Sequence, residues 1–438
     1  MKGLISFLLF LLTCLSQSFG QNIKFAEYDL PNGLKVLLHE DHSTPIVAVS
    51  VMYHVGSKNE NPERTGFAHF FEHLLFEGSE NIKRGEFDDY ISNAGGFNNA
   101  NTWYDRTYYY EVLPSNQLAL GLWLESERMF QAKVEQIGIE TQRQVVKEER
   151  RQRIDNQPYG GLLEETMKRV FKVHPYKSSV IGSMEDLDAA QEADYKQFYK
   201  DFYRPDNAIL SIAGDIDIKQ AKELVDVYFK SIPRGTGTIQ RTFPQEPPMQ
   251  GVTRDTVYDN IQLPAVVFGY QFPAQGTKDF YALKMLSTLL SQGQSSRMNK
   301  TIVDEQQKAV AAGSFPLQLE NTGANLAYAI ANMGVNPLEL EKAMDAVIED
   351  VQKNLVSEKE FQKLLNQIEN DFISKNDNVA GIAESLANYE MYFGDANLIN
   401  TELDRYRKIT REELRTAANK YLNKDARVVL YWMPKVAP

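Results

Sequence analysis

Cysteine is nearly absent. The 438-residue chain has one, Cys14, so the rest of it can form neither disulfides nor thiolate metal sites, and thiol chemistry is excluded. Positive charge is also in short supply. Against 59 acidic residues stand 47 Lys and Arg, a net charge of -12 that offers no general attraction for phosphate backbones, so nucleic acid is not an expected partner. Long apolar runs are missing beyond the N-terminus, and no transmembrane segment is expected. The run Leu4 to Leu15 follows Lys2, is too short to span a bilayer comfortably, and leads into Ser16-Gln17-Ser18-Phe19-Gly20. It reads as a secretory signal peptide covering residues 1–20, and the lack of arginine in it argues against a mitochondrial transit peptide. The chain is therefore expected to cross an inner membrane into a bacterial periplasm. A lipoprotein signal ending at Cys14 is the alternative, with Thr13 a poor match before the cysteine.

What remains has ordinary globular composition, 43% hydrophobic and 24% charged, in a chain too long for one core to organise well. Ile46 to Tyr53, Thr107 to Leu113 and Ala208 to Ala213 are rich in β-branched and aromatic residues and read as strands. Ile139 to Arg153 lacks Gly and Pro and reads as a partly exposed helix. Residues 231–260 carry Pro233, Gly235, Gly237, Pro244, Pro247 and Pro248 and read as a linker. The flanking halves echo each other: residues 192–217 and 411–435 both run from helix to strand, with Phe202 and Tyr421 equivalent at a spacing of 219, and "LPAVVFGYQF" resembles "PIVAVSVMYHVG". The expected fold is α+β, two homologous domains at 21–230 and 261–438, each a mostly antiparallel sheet packed with helices.

Of six histidines, only His69 and His73 stand at i and i+4, in "GFAHFFEHLLFEGS". On a helix this spacing stacks both imidazoles on one face, close enough to share a metal ion. Glu72 sits between them in order, free to take a proton from an attacking water. Two imidazoles and a carboxylate with an open fourth position suit zinc, one ion per chain. The order H-x-x-E-H is a known catalytic arrangement, and it lies among Phe70, Phe71, Leu74, Leu75 and Phe76, where polar side chains need partners. A third ligand must come from elsewhere. "ETQRQVVKEERRQR" offers Glu148 and Glu149, between which spacing does not choose.

These segments, with "GGFNNANTWYDRTYYYEVLP", "VVKEE" and "HPY", resemble the M16 (pitrilysin-like) zinc peptidases over nearly the whole mature chain, in the branch of mitochondrial processing peptidase subunits and two-domain bacterial relatives. The resemblance implies Glu149 as the third ligand. It places Gln142 where the family commonly has a second glutamate, a departure that removes a negative charge near the metal. It implies that residues 95–114 include an edge strand on which a peptide substrate adds as a further strand, with Asn99 and Ala100 against its backbone. His174, in "HPY", shapes a loop. The implied function is a zinc endopeptidase acting on peptides or unfolded segments, the alternative being a non-catalytic scaffold or peptide-binding subunit.

The second half is expected to be metal-free. Matching Leu74-Leu75 to Leu289-Leu290 puts Lys284, Ser287 and Thr288 where His69, Glu72 and His73 stand. Active relatives supply an Arg and a Tyr from this half. Here the corresponding positions are Val303 and Val310, with Arg297 upstream, and neither valine can hydrogen-bond to substrate. The resemblance therefore implies a heterodimer with an M16 homologue that supplies the Arg/Tyr pair, or else a homodimer.

Overall fold

The computed structural model describes residues 22–435. The signal peptide and lipoprotein readings lie outside these residues. The chain forms two sheets, each covered by helices, and the α+β expectation holds. The first sheet has strands β1 (Ala26–Asp29), β2 (Lys35–Glu40), β3 (Ile46–Tyr53), β4 (Phe97–Thr102), β5 (Thr107–Pro114) and β6 (Ala208–Gly214), in the order β1-β2-β6-β3-β5-β4. The second has β7 (Val252–Asp259), β8 (Ala265–Phe272), β9 (Ala309–Leu317), β10 (Gly323–Ala331) and β11 (Arg427–Pro434), ordered β7-β11-β8-β10-β9. In each sheet one pair is parallel, β2 with β6 and β7 with β11, and every other pair is antiparallel. The orders superpose when β2, β6, β3, β5 and β4 are matched to β7, β11, β8, β10 and β9.

The repeat is close in sequence register. β3 begins at Ile46 and β8 at Ala265, helix Glu192–Phe202 answers helix Arg411–Tyr421, and β6 and β11 begin at Ala208 and Arg427, all separated by 219 residues. The interval 231–260 needs correcting as a linker, because its last part, Val252–Asp259, is strand β7, paired along its length with β11. Its side chains are mostly exposed. An edge strand with one neighbour and little burial gives few apolar positions to read, so the prolines before it dominate the sequence signal.

The halves are joined by exchanged helices. Helix Leu162–Val170 of the first half sets Met167 and Val170 on Ala265, Val267, Leu326 and Val428 of the second sheet. Gly269 on β8 makes room for it, since a Cβ there would meet Thr166 Cγ2 and Val170 Cγ2 at 2.7 Å. Helix Val379–Phe393 of the second half returns the arrangement, with Ile382, Ala383, Leu386 and Ala387 on Leu37, Ala48, Met52, Ile209 and Ala213. The alanines facing one another allow close approach of helix to sheet.

A buried polar lock adds direction to this apolar contact. Lys58 Nζ lies 2.8 Å from Asp105 Oδ1, both side chains at most 1% exposed. Tyr176 donates its hydroxyl to Asp105 Oδ1 at 2.5 Å, and the Glu320 amide donates to Asp105 Oδ2 at 3.0 Å. Because Asp105 lies in the β4–β5 turn, the lock fixes the end of the edge strand against the second half.

If the exchanged helix is part of the first half's core, Leu386→Ala will destabilise the whole chain by about 3 kcal/mol, the usual cost of a buried Leu-to-Ala cavity. Urea unfolding followed by tryptophan fluorescence checks this. A midpoint unchanged from the parent would show that the helix merely rests on the sheet.

Candidate metal centre

Helix Phe67–Leu74 carries the histidine motif, and the sequence around it fixes both ends. Gly66 caps the N-terminus at φ 90°, where a Cβ would meet the Ile181 carbonyl oxygen at 2.7 Å. The amides of Gly66 and Ala68 donate to the Glu60 carboxylate, each at 2.8 Å, satisfying donors that the first turn leaves free. At the other end Arg128 donates to the Leu75 carbonyl oxygen at 3.1 Å while its guanidinium stacks on Phe76, Phe87 and Tyr109. Tyr109 donates its hydroxyl to the Phe71 carbonyl oxygen at 3.0 Å. The side away from the histidines is held by aromatic packing, with Phe67 and Phe70 on Tyr195 and Phe71 on Phe198 at ring separations of 4.5–5.5 Å.

The third residue arrives from helix Gln136–Arg150, slightly longer at its start than expected, which continues as a π-type turn over Arg151–Asp155. The last turn of the α-helix brings Glu149, not Glu148, to the imidazoles. Glu149 Oε2 is 3.6 Å from His69 Nε2 and 3.0 Å from His73 Nε2, whereas Glu148 is exposed and engaged by Arg151 and Gln152. Two ligands about 2.0–2.1 Å from one zinc in tetrahedral geometry lie about 3.3 Å apart, so the observed spacings bracket what a shared ion requires. Among the described residues His69, His73 and Glu149 form the only such group.

The electrostatics agree with that role. Burial, with repulsion from His73, pushes His69 down to about 4, so its ring is neutral near pH 7 and presents a lone pair. Burial raises Glu149, but the hydrogen bond from His73 and the positive charge beside it, that of Arg153 included, more than offset this and hold the carboxyl below its ordinary range. Burial raises the Glu72 carboxyl above the ordinary range, opposed by Thr102 and His73. Its Oε2 atom is buried and without a hydrogen-bond partner among the described residues, the condition of an acceptor waiting for a proton donor.

Beside Glu72 and His73 opens a cavity of about 240 Å³, bounded by Phe76, Asp88, Asn98, Asn99 and Ala100. The last three belong to β4, which is the edge of its sheet, so one side of its backbone has no strand partner. The Asn99 side chain is exposed and its Oδ1 accepts the Ala100 amide at 2.8 Å. Gln142 lies close by on helix Gln136–Arg150 but donates to Glu77 at 2.5 Å, leaving its own Oε1 buried and unpartnered. Glu77 is held in turn by Arg84. His174 is buried and accepts the Tyr176 amide at 3.2 Å, a loop-forming contact.

Sequence reasoning missed Glu60, Arg128 and Arg153. Arg153 sits 2.6 Å from Glu149 Oε1 with its side chain 75% exposed, and the i, i+4 spacing from Glu149 is the signal that could have found it. Nothing in the local sequence marks Glu60 or Arg128, whose partners are brought by folding. In the second half Ser287 is buried on Asn325, while Lys284 and Thr288 face a cleft. Arg297 is held by Glu360 and Asp350 at 2.7 Å each; Val303 packs on the second core and Val310 is half exposed.

A relative from Helicobacter pylori named zinc protease PqqE is 32% identical over 94% of this chain and 93% of its own length. The chain belongs to the M16 peptidase family. The family models divide this M16 chain between insulinase (peptidase family M16), residues 35–183, and the peptidase M16 inactive domain, residues 190–368. A crystal structure of a protease from Helicobacter pylori matches with a TM-score of 0.90 and 31% identity, covering 94% of this chain and all of that one. A probable mitochondrial-processing peptidase subunit beta from Arabidopsis thaliana is 22% identical over 90% of this M16 chain and 75% of its own.

His69→Ala, His73→Ala and Glu149→Ala should each reduce zinc from one equivalent to a small fraction, while Glu148→Ala keeps it. Elemental analysis after dialysis measures this. Full zinc in the Glu149→Ala protein would move the third ligand elsewhere.

Proposed function

We propose that this protein is a zinc-dependent endopeptidase in which His69, His73 and Glu149 hold one metal ion and Glu72 is the general base. The observation that carries this reading is the convergence of two imidazoles and a carboxylate on one point, beside an unpartnered buried carboxylate and an unpaired sheet edge. A zinc ion held there supplies Lewis-acid polarisation of a scissile carbonyl and of the attacking water. Glu72 takes a proton from that water at its carboxylate and delivers it to the leaving amine, a task its raised affinity for protons suits. β4 orients the peptide by main-chain hydrogen bonds, with Asn99 and Ala100 nearest the reacting bond, which explains why an extended peptide or unfolded segment is the substrate. For the incoming strand to pair, the Asn99 side chain releases the Ala100 amide that it now occupies.

The functional unit in this reading is two domains, residues 21–230 carrying chemistry and 261–438 carrying none, exported by the leader at 1–20 to the periplasm. The active particle is a heterodimer. Val303 and Val310 offer no polar group to a substrate, and ion pairs engage all three guanidinium nitrogens of Arg297. A homologous subunit with the Arg and Tyr completes the site.

Glu72→Gln is expected to keep its zinc and its thermal midpoint and to lose about 10²- to 10⁴-fold in kcat, the contribution typical of general base catalysis. Cleavage of a quenched fluorescent peptide, by the chain alone and after mixing with a neighbouring M16 homologue, measures both claims. Unchanged turnover in the variant would remove Glu72 as base, and full activity of the isolated chain would remove the partner.

A further inference from the structure

A second cavity, of about 330 Å³, lies where the two halves meet. Its walls are aromatic, from Trp103, Phe280 and Tyr406, and its volume falls at the lower end of those that hold small ligands. Lys284 projects into it from helix Lys278–Ser291. Of the other charged groups on its wall, Lys375 has no hydrogen bond or ion pair among the described residues, and the rest are engaged. Arg106 pairs with Glu384 at 2.8 Å, Asp371 accepts from Gln292 at 2.8 Å, and Glu402 is held by the hydroxyl of Tyr389. The Lys284 ammonium has no hydrogen bond or ion pair among the described residues. Its nearest aromatic neighbour is the Tyr406 ring, 5.5 Å away, and burial pushes its pKa down. Asp371 and Glu402 lie near enough to oppose that fall, yet neither bonds the ammonium, and a largely buried ammonium with no bonded partner is costly in a protein that has no use for it.

Two features of the fold say what that use is. Lys284 comes from the helix that follows β8, as the histidine helix follows β3 in the first half, so the cleft lies on the second half's counterpart of the helix that carries the candidate metal centre. And Trp103, on its wall, follows directly after β4. From Asn99 and Ala100 to Trp103 is three or four residues of extended chain, about 10–13 Å. A peptide laid along β4 at the metal centre therefore runs into this cleft with its next few residues.

We propose that the cleft is a second recognition site for the peptide, seating a carboxylate and its apolar stem from the segment that extends past the metal centre, with Lys284 as counter-ion. This rests on the peptidase reading above. The carboxylate is either the peptide's C-terminus or an Asp or Glu side chain, since both present the same group to an ammonium. A charge-assisted hydrogen bond of this kind changes affinity by about tenfold or more.

The test uses full-length zinc-loaded Glu72→Gln protein, which retains peptides without cleaving them, titrated by calorimetry with decapeptides. One has a Glu and an amidated end, one a free C-terminus and no acidic residue, and one neither. Lys284→Met should cost at least one of the acidic peptides about tenfold in Kd and leave the neutral peptide unchanged, and whichever acidic peptide responds identifies the source. Lys284→Arg should restore the preference, which a merely structural lysine would not show. Equal affinities of all three peptides for the Lys284-containing protein, or an equal loss for all three in Lys284→Met, would overturn the proposal. Cleavage of a neutral pentapeptide, too short to reach from β4 into the cleft, by protein with Glu72 intact and mixed with the M16 homologue that supplies the Arg and Tyr, decides the peptidase reading separately. Its failure would sink that reading, whereas its success with no acid preference would sink only the cleft.

Discussion

Everything at the candidate metal centre depends on one short helix being held rigid in an apolar setting. His69 and His73 share a point in space because they are four residues apart on a helix whose opposite side is locked by Tyr195 and Phe198 and whose two ends are tied to Glu60 and Arg128. Were this helix free to roll, the two nitrogens would still be neighbours, but Glu149, arriving from another helix, would not meet them. Burial then does the electrical work. It keeps His69 neutral and raises Glu72, so that the same desolvation leaves a lone pair on one side chain and a raised affinity for protons on the other.

The two halves show what a duplicated fold retains and what it gives up. Strand order, parallel pairs and helix register are common to both, and each half covers the other's sheet with one helix. In the second half the helix that follows β8 has no histidine and lines a cleft with Lys284 and Thr288. Because the β4–β5 turn is locked through Asp105 to the second half, the strand that would carry substrate and the cleft at its end are rigidly related. Geometry of this kind suits a peptide read at two places at once.

Much of this was legible in the sequence, for definite physical reasons. Ile46–Tyr53 reads as a strand because all its residues but Ser50 are β-branched, apolar or aromatic, and the structure begins and ends β3 at those same residues and buries nearly all of them. The histidine spacing carries its own geometry, and the repeat is visible because helix Glu192–Phe202 and β6 have close counterparts 219 residues on. Strand β7 was hidden by its exposure, and prolines before it spoke louder. Glu60, Arg128 and Asp105 could not have been singled out, since their partners lie on segments that only folding brings near. The choice of Glu149 over Glu148 needed the family resemblance, and the structure supports it through the hand of one helix end: the two side chains point some 100° apart, one at the imidazoles and one at solvent.

One measurement tests the whole arrangement most directly: a crystal structure of zinc-loaded Glu72→Gln protein with an extended peptide, with anomalous data at the zinc edge. The expected result is a single zinc peak bounded by His69, His73 and Glu149, with the peptide paired to β4 beside Asn99 and Ala100. A protein without zinc at those three side chains, or a peptide bound away from β4, would contradict it.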